Sequence, residues 1–168
     1  MPARIPLSFD EVFKDNAPFV WRTLRRLGVR EADVDDVCQE VFVVVHRKLG
    51  EFEGRSSLRT WIYGICIRTA SAHRRLAHHR EMPTDTPPER VADGTPHESL
   101  ARSRALAALD RALRELDEDK RTVFVLYEIE ELGMTEIAEI VGCPLQTAYS
   151  RLHAAREKVQ AALRAEAK

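Results

Sequence analysis

The chain has 168 residues, 44% of them hydrophobic and 32% charged, a globular composition that suits one domain or two small ones. Its formal net charge of -1 lacks the basic excess that usually marks a nucleic-acid binder. No stretch approaches the roughly 18 apolar residues of a membrane helix, and Met1 to Leu7 carries two prolines and no signal-peptide core, so a cytoplasmic protein without membrane insertion is expected.

Apolar residues recur at spacings of three and four almost throughout, with no alternating strand pattern, which predicts an all-α protein. Ser8 followed by Glu11 fits a capping box opening a first helix, and a further helix runs from about Pro18 to Leu27 before Gly28. A long helix then spans roughly Ala32 to Leu49. At 100° per residue it places Val34, Val37, Cys38, Val41 and Val45 on a core side. Asp36, Gln39, Glu40, Val43 and Arg47 fall on the opposite, exposed side. After the loop EFEGRSS, another helix sets Leu58, Trp61, Ile62, Ile65, Thr69, Ala72 and Leu76 on one face, with Arg59, Tyr63, Arg74, Arg75 and His78 on the others.

From Glu81 to His97 the segment EMPTDTPPERVADGTPH is rich in proline and poor in large apolar residues, which predicts a flexible linker between two small helical domains, 1–80 and 98–168. Beyond it, helices are expected from about Glu98 to Leu116 and from Asp117 to Glu131. Ile137, Ala138 and Val141 then mark a short helix, Gly142-Cys143-Pro144 breaks it, and Pro144 suits the first position of the next helix. That last helix turns Ala148, Leu152, Ala155 and Val159 inward. The pattern is helix, tight turn, helix, the arrangement of helix-turn-helix DNA-binding domains.

The candidate sites are surfaces rather than catalytic constellations. On the last helix Gln146, Thr147, Tyr149, Ser150 and His153 occupy the part that meets base edges, and Arg151 and Arg156 are placed to reach phosphates. Between Arg55 and Arg80 stand six arginines, three histidines and no acid, a run that suits a DNA backbone or reflects the codon usage of a GC-rich genome. Trp61, on the apolar stripe, reads as core. Tyr63 reads as the exposed ring on which an unpaired base stacks. The acids Asp33, Asp35, Asp36 and Glu40 diverge around a helix, and His73, His78 and His79 lack ligand spacing, so no metal or other cofactor is expected. The three isolated cysteines, Cys38, Cys66 and Cys143, form no CxxC pair and read as small buried hydrophobes. No phosphate loop, nucleophile elbow or triad signature is present, which argues against an enzyme.

Two stretches, in order, resemble one family. Asp33-Val-Asp-Asp-Val-Cys-Gln-Glu-Val-Phe42, with Phe52-Glu-Gly-Arg-Ser-Ser-Leu-Arg-Thr-Trp-Ile-Tyr63, is similar to conserved region two of extracytoplasmic-function sigma factors. EIAEIVGCPLQTAYSRLHAAR resembles their region four. The resemblance implies a sigma factor that binds core RNA polymerase and directs promoter-specific initiation, under an anti-sigma factor. It implies polymerase docking by Asp36, Gln39, Glu40, Val43 and Arg47. Capture and holding of the opened minus-ten strand would fall to Phe52, Glu53, Gly54, Arg55, Ser56, Ser57, Arg59, Tyr63, Arg68, Arg74 and Arg75. Minus-thirty-five reading falls to the helix-turn-helix. The chain departs from the family at Gly64-Ile65-Cys66-Ile67-Arg68, where many members read Arg-Ile-Ala-x-Asn, and at Tyr149, His153 and Ala154 of the recognition helix. A stand-alone helix-turn-helix regulator is the alternative.

Overall fold

A computed structural model describes residues 7–78 and 96–167, and the chain divides into two compact units, 1–80 and 81–168. Most of the expected linker, residues 81–95, lies outside the described residues. Among the described residues every regular element is helical, and no helix is long and apolar enough to cross a membrane.

In the first unit, α1 (Phe9–Arg26) is one continuous helix rather than two. Pro18 removes an N–H donor inside it, but Pro18 is exposed, so water can serve the carbonyl it leaves. The capping box does not form, since Ser8 stands at the N-cap without a side-chain hydrogen bond. At the other end Gly28 adopts φ 95, and the Leu27, Gly28 and Val29 amides bond back to Thr23, Arg25 and Leu24, a glycine stop of the usual kind. The helix buries Val12, Phe19, Val20 and Leu24.

Against that face pack α2 (Glu31–Lys48) and α3 (Leu58–His78), joined by a 3-10 turn at Leu49–Glu51 and an irregular loop. The core side of α2 is Val34, Val37, Val41, Phe42 and Val45, each burial worth roughly 1.5–3 kcal/mol. Cys38 is only half-buried there, like Cys143 in the second unit, while Cys66 is fully enclosed. Burial, then the charge of Asp35, push the Cys38 thiol above its ordinary pKa, which keeps it protonated and unreactive.

The inner face of α3 is rotated from the sequence expectation. Thr60, Ile62, Tyr63, Gly64, Ile65, Cys66 and Ala70 are buried, whereas Leu76 is 65% exposed. Trp61, Thr69 and Ala72 stand at the edge or outside. Small residues let α3 approach α1 and α2 closely.

The second unit is built on α4 (Pro96–Arg114), α5 (Glu118–Phe124), α6 (Met134–Val141) and α7 (Leu145–Glu166). Arg121 donates to the carbonyls of Leu113 and Leu116, closing the end of α4, and Arg111 forks onto Glu166 at 2.7 and 2.8 Å. Asp117 caps α5 by accepting from the Lys120 amide at 3.0 Å and pairs with the Lys120 ammonium. The ammonium bond, then the amide, hold the Asp117 carboxyl below its usual range. The stability this lends is present above the ordinary carboxylate pKa and is lost as pH falls through the lowered one.

The expected helix 117–131 stops being an α-helix at Phe124. It widens into a π-turn at Val125–Ile129, where Glu130 N reaches Val125 O at 3.0 Å, and Glu131 then takes φ 55 to reverse the chain. Ala148, Leu152, Ala155 and Val159 of α7 are all buried, as their spacing predicts. Pro144 is the N-cap of α7 rather than its first residue. Gly142, at φ 70, ends α6 in the left-handed conformation, and its amide bonds to Ala138 O at 2.9 Å.

Gly142→Ala should therefore destabilise the second unit by about 1 kcal/mol through the left-handed strain, while Gly133→Ser at the extended N-cap of α6 should stabilise it by a few tenths of a kcal/mol. Thermal unfolding of the full chain followed by far-UV circular dichroism checks both.

Candidate functional site

The first candidate surface is the outward side of α2. Asp36, Gln39, Glu40, Val43 and Arg47 are all exposed along it. The first four, with Val44 and with Ile65, Arg68, Thr69 and Ala72 of α3, line an open groove of about 790 Å³. Its floor is aliphatic and its α2 wall carries two carboxylates. Neither Asp36 nor Glu40 is ion-paired among the described residues. Arg68, grouped with the strand-holding residues by sequence, faces this same groove, its guanidinium lying along the buried backbone of Gly64. Ile65, Thr69 and Ala72, expected on the core face of α3, line the groove here, and Val44 was not singled out from sequence.

The remaining acids of α2 have other partners. Asp33 meets Arg30 at 2.9 Å and His73 at 3.3 Å, and Asp35 accepts from the Trp21 indole at 3.0 Å. They act as separate struts between helices. Among the described residues no group of three or more His, Cys, Asp or Glu converges as a metal would require. His79 lies outside the described residues.

The second surface is the loop before α3. Phe52 is half-buried with its ring 5.2 Å from that of Trp61. Glu53 and Arg55 pair at 2.6 Å across Gly54, which takes φ 71 to turn the chain outward. Ser56 bonds weakly to the Ser57 carbonyl at 3.2 Å. The Ser57 hydroxyl accepts from the Thr60 amide at 3.0 Å and donates to the Thr60 hydroxyl at 2.9 Å, so Ser57 caps α3 and anchors the loop.

Two aromatic assignments exchange places. Tyr63, expected to be exposed, is 1% accessible, with its ring edge-on to Phe19 at 4.5 Å, because the rotation of α3 turns residue 63 toward α1. Trp61, expected in the core, is half-exposed and stacks obliquely on Phe52. The arginines also separate. Arg59 is exposed with its guanidinium over the Phe19 ring, 4.4 Å from its centre, and Arg75 is exposed. Arg74 instead donates to the Leu27 carbonyl at the end of α1 and is part-buried, so it serves the fold where sequence placed it on a strand-binding face.

The third surface is α7. Gln146, Tyr149, Ser150 and His153 are exposed and Thr147 is half-buried. Ser150 donates to the Gln146 carbonyl at 3.0 Å, and His153 lies 3.6 Å from Glu157. Arg151 pairs with Asp119 at 2.8 Å. Arg156 pairs with Glu128 and lies 5.3 Å from the Tyr127 ring centre. Asp119, Tyr127 and Glu128 were not singled out from sequence, since nothing local links them to α7.

Comparison with known proteins shows which families the two units match. A family model described as sigma-70 region 2 matches residues 12–80, and one described as sigma-70 region 4 matches residues 106–159. The RNA polymerase sigma-H factor of Pseudomonas aeruginosa is 33% identical over 141 residues, 78% of this chain and 73% of the relative. The ECF RNA polymerase sigma-E factor of Escherichia coli is 32% identical over 147 residues, 78% and 74%. In fold the chain resembles the sigma factor RpoE in complex with the anti-sigma factor NepR from Bartonella quintana, with TM-score 0.78 and 20% identity over 93% of this chain and 96% of that one. It also resembles CnrH in complex with the cytosolic domain of CnrY, with TM-score 0.67 and 25% identity over 94% and 88%.

The exchange of the two rings is open to measurement. Tyr63→Ala should cost about 3–5 kcal/mol as a large-to-small core change, and Trp61→Ala less than half as much, in urea unfolding of the full chain.

Proposed function

The chain belongs to the extracytoplasmic-function branch of the sigma-70 family of RNA polymerase sigma factors, and from that premise we propose how its surfaces divide the work. It is an initiation factor and not an enzyme: it binds core RNA polymerase and directs promoter-specific transcription. Residues 1–80 dock on polymerase and open the minus-ten element, 98–168 read the minus-thirty-five element, and 81–97 tether the two. Tethering makes the second promoter contact effectively intramolecular.

The observation that carries the docking assignment is the groove wall of unpaired carboxylates, Asp36 and Glu40, above an aliphatic floor. Such a face complements a basic helical partner, gives it an apolar seat and speeds encounter. Gln39, Val43 and Arg47 extend it along α2. Beside it, Phe52 and Trp61 form an aromatic step at the end of a loop turned out by Gly54. That step suits an unstacked base, with Glu53, Arg55, Ser56 and Ser57 shaping its rim and Arg59 and Arg75 supplying positive charge to the strand. In the second unit Gln146, Thr147, Tyr149, Ser150 and His153 form the face for the major groove.

The solved structures named above are complexes, one with the anti-sigma factor NepR and the other with the cytosolic domain of CnrY. We assign this chain a restraining partner of the same class, acting in the cytoplasm and covering the α2 groove.

The test separates docking from melting. Asp36→Lys with Glu40→Lys should lower affinity for core polymerase about tenfold or more with unchanged circular dichroism. Trp61→Ala and Phe52→Ala should leave core affinity unchanged while abolishing the fluorescence rise of 2-aminopurine placed in the minus-ten non-template strand. Unchanged core affinity in the double charge reversal would remove the docking face. Tight duplex binding by the chain without polymerase would favour a stand-alone regulator.

A further inference from the structure

The recognition helix carries its two best-placed arginines on carboxylates of its own unit. Arg151, with a side chain only 25% exposed, reaches Asp119 of α5 at 2.8 Å. Five residues on, Arg156 bonds Glu128 and lies against the Tyr127 ring, both in the π-turn that follows α5. These pairs stand at two points along α7, flanking Leu152 and Ala155 of its buried seam. Two of the four seam residues are alanines, Ala148 and Ala155, which allow close approach but present no long side chain to lock rotation or sliding. The polar pairs supply that lock.

Resting on the reading above, we propose that Arg151 and Arg156 are not phosphate ligands. They are braces, and Asp119 and Glu128 are positioning residues that set the angle and register of α7 for the minus-thirty-five element. A guanidinium already matched by a carboxylate offers a phosphate little net attraction, and the carboxylate itself repels it. Tyr127 holds Arg156 further by covering its planar face. The π-turn gives the arrangement its geometry, because widening the helix at Val125–Ile129 brings two consecutive side chains, Tyr127 and Glu128, to one guanidinium. Discrimination between promoters is then left to Gln146, Tyr149, Ser150 and His153, which carry little formal charge. Exposed and half-exposed ion pairs contribute little to stability, so the effect of removing one is read in promoter affinity more than in melting.

Exchange of charge across each pair separates brace from ligand. The probe is a promoter duplex recovered from random DNA by the wild-type holoenzyme, and the readout is holoenzyme affinity for it. Arg151→Glu and Arg156→Glu should each weaken binding about tenfold. The swaps Arg151→Glu with Asp119→Arg, and Arg156→Glu with Glu128→Arg, should each return affinity to within about threefold of wild type. Swaps as weak as the single changes would overturn the proposal, since an arginine moved to the neighbouring helix cannot replace a phosphate ligand. The conservative change Asp119→Asn keeps the test sharp if a swap fails to fold. It should weaken binding, whereas unchanged or tighter binding would mean that Asp119 merely competes with DNA for Arg151. Recovery of no duplex by the wild-type holoenzyme would instead contradict the sigma-factor reading itself.

Discussion

The seating of Tyr63 against Phe19 determines what the first unit presents to its partners. An edge-on aromatic pair at 4.5 Å contributes roughly 0.5–1.5 kcal/mol beyond its buried area, and its larger effect is rotational. With residue 63 turned toward α1, Trp61 must lie at the margin, next to Phe52, and Arg68, Thr69 and Ala72 must face α2. The groove floor and the aromatic step are thus two consequences of one helix rotation. Arg74 secures the same rotation from the far end of α3, through the Leu27 carbonyl that closes α1.

The second unit solves a related problem with different means. Its recognition helix has a thin seam and relies on directional contacts, Arg111 to Glu166 near one end and the Arg151 and Arg156 pairs nearer the other. Left-handed backbone at Gly142 and Glu131 fixes the two turns that bracket α6. Each unit is small enough that its stability is modest, which suits a protein whose surfaces are completed by partners and by DNA.

The sequence made the most regular features plain. Valines at 34, 37, 41 and 45 mark one side of α2 without ambiguity, so the opposite side, with Asp36, Gln39, Glu40 and Val43, followed from geometry. The turn Gly142-Cys143-Pro144 was equally readable, because glycine and proline have backbone consequences that do not depend on tertiary context. What could not be read was any choice settled by a distant neighbour. Beside Ile62, Ile65 and Cys66, the inner face of α3 holds Thr60, Gly64 and Ala70, which carry little hydrophobic signal and are buried because they are small. Trp61 fell on the apolar stripe and Tyr63 off it, yet α1 offers its aromatic contact to position 63. Arg74, Arg151 and Arg156 looked like a DNA-facing basic set until their partners, 47, 32 and 28 residues away in sequence, were located. Pro18 suggested a break, but the break needs a buried carbonyl to enforce it, and this one is on the surface.

As a sigma factor the chain confers promoter choice on polymerase, and the two units are proposed to divide that work. Run-off transcription with purified core RNA polymerase on a genomic promoter library, with and without the chain, tests it most directly. Transcripts from a defined promoter set that appear only when the chain is added are the predicted result. Transcription unaffected by the chain, with promoter duplexes bound by the chain alone, would contradict it.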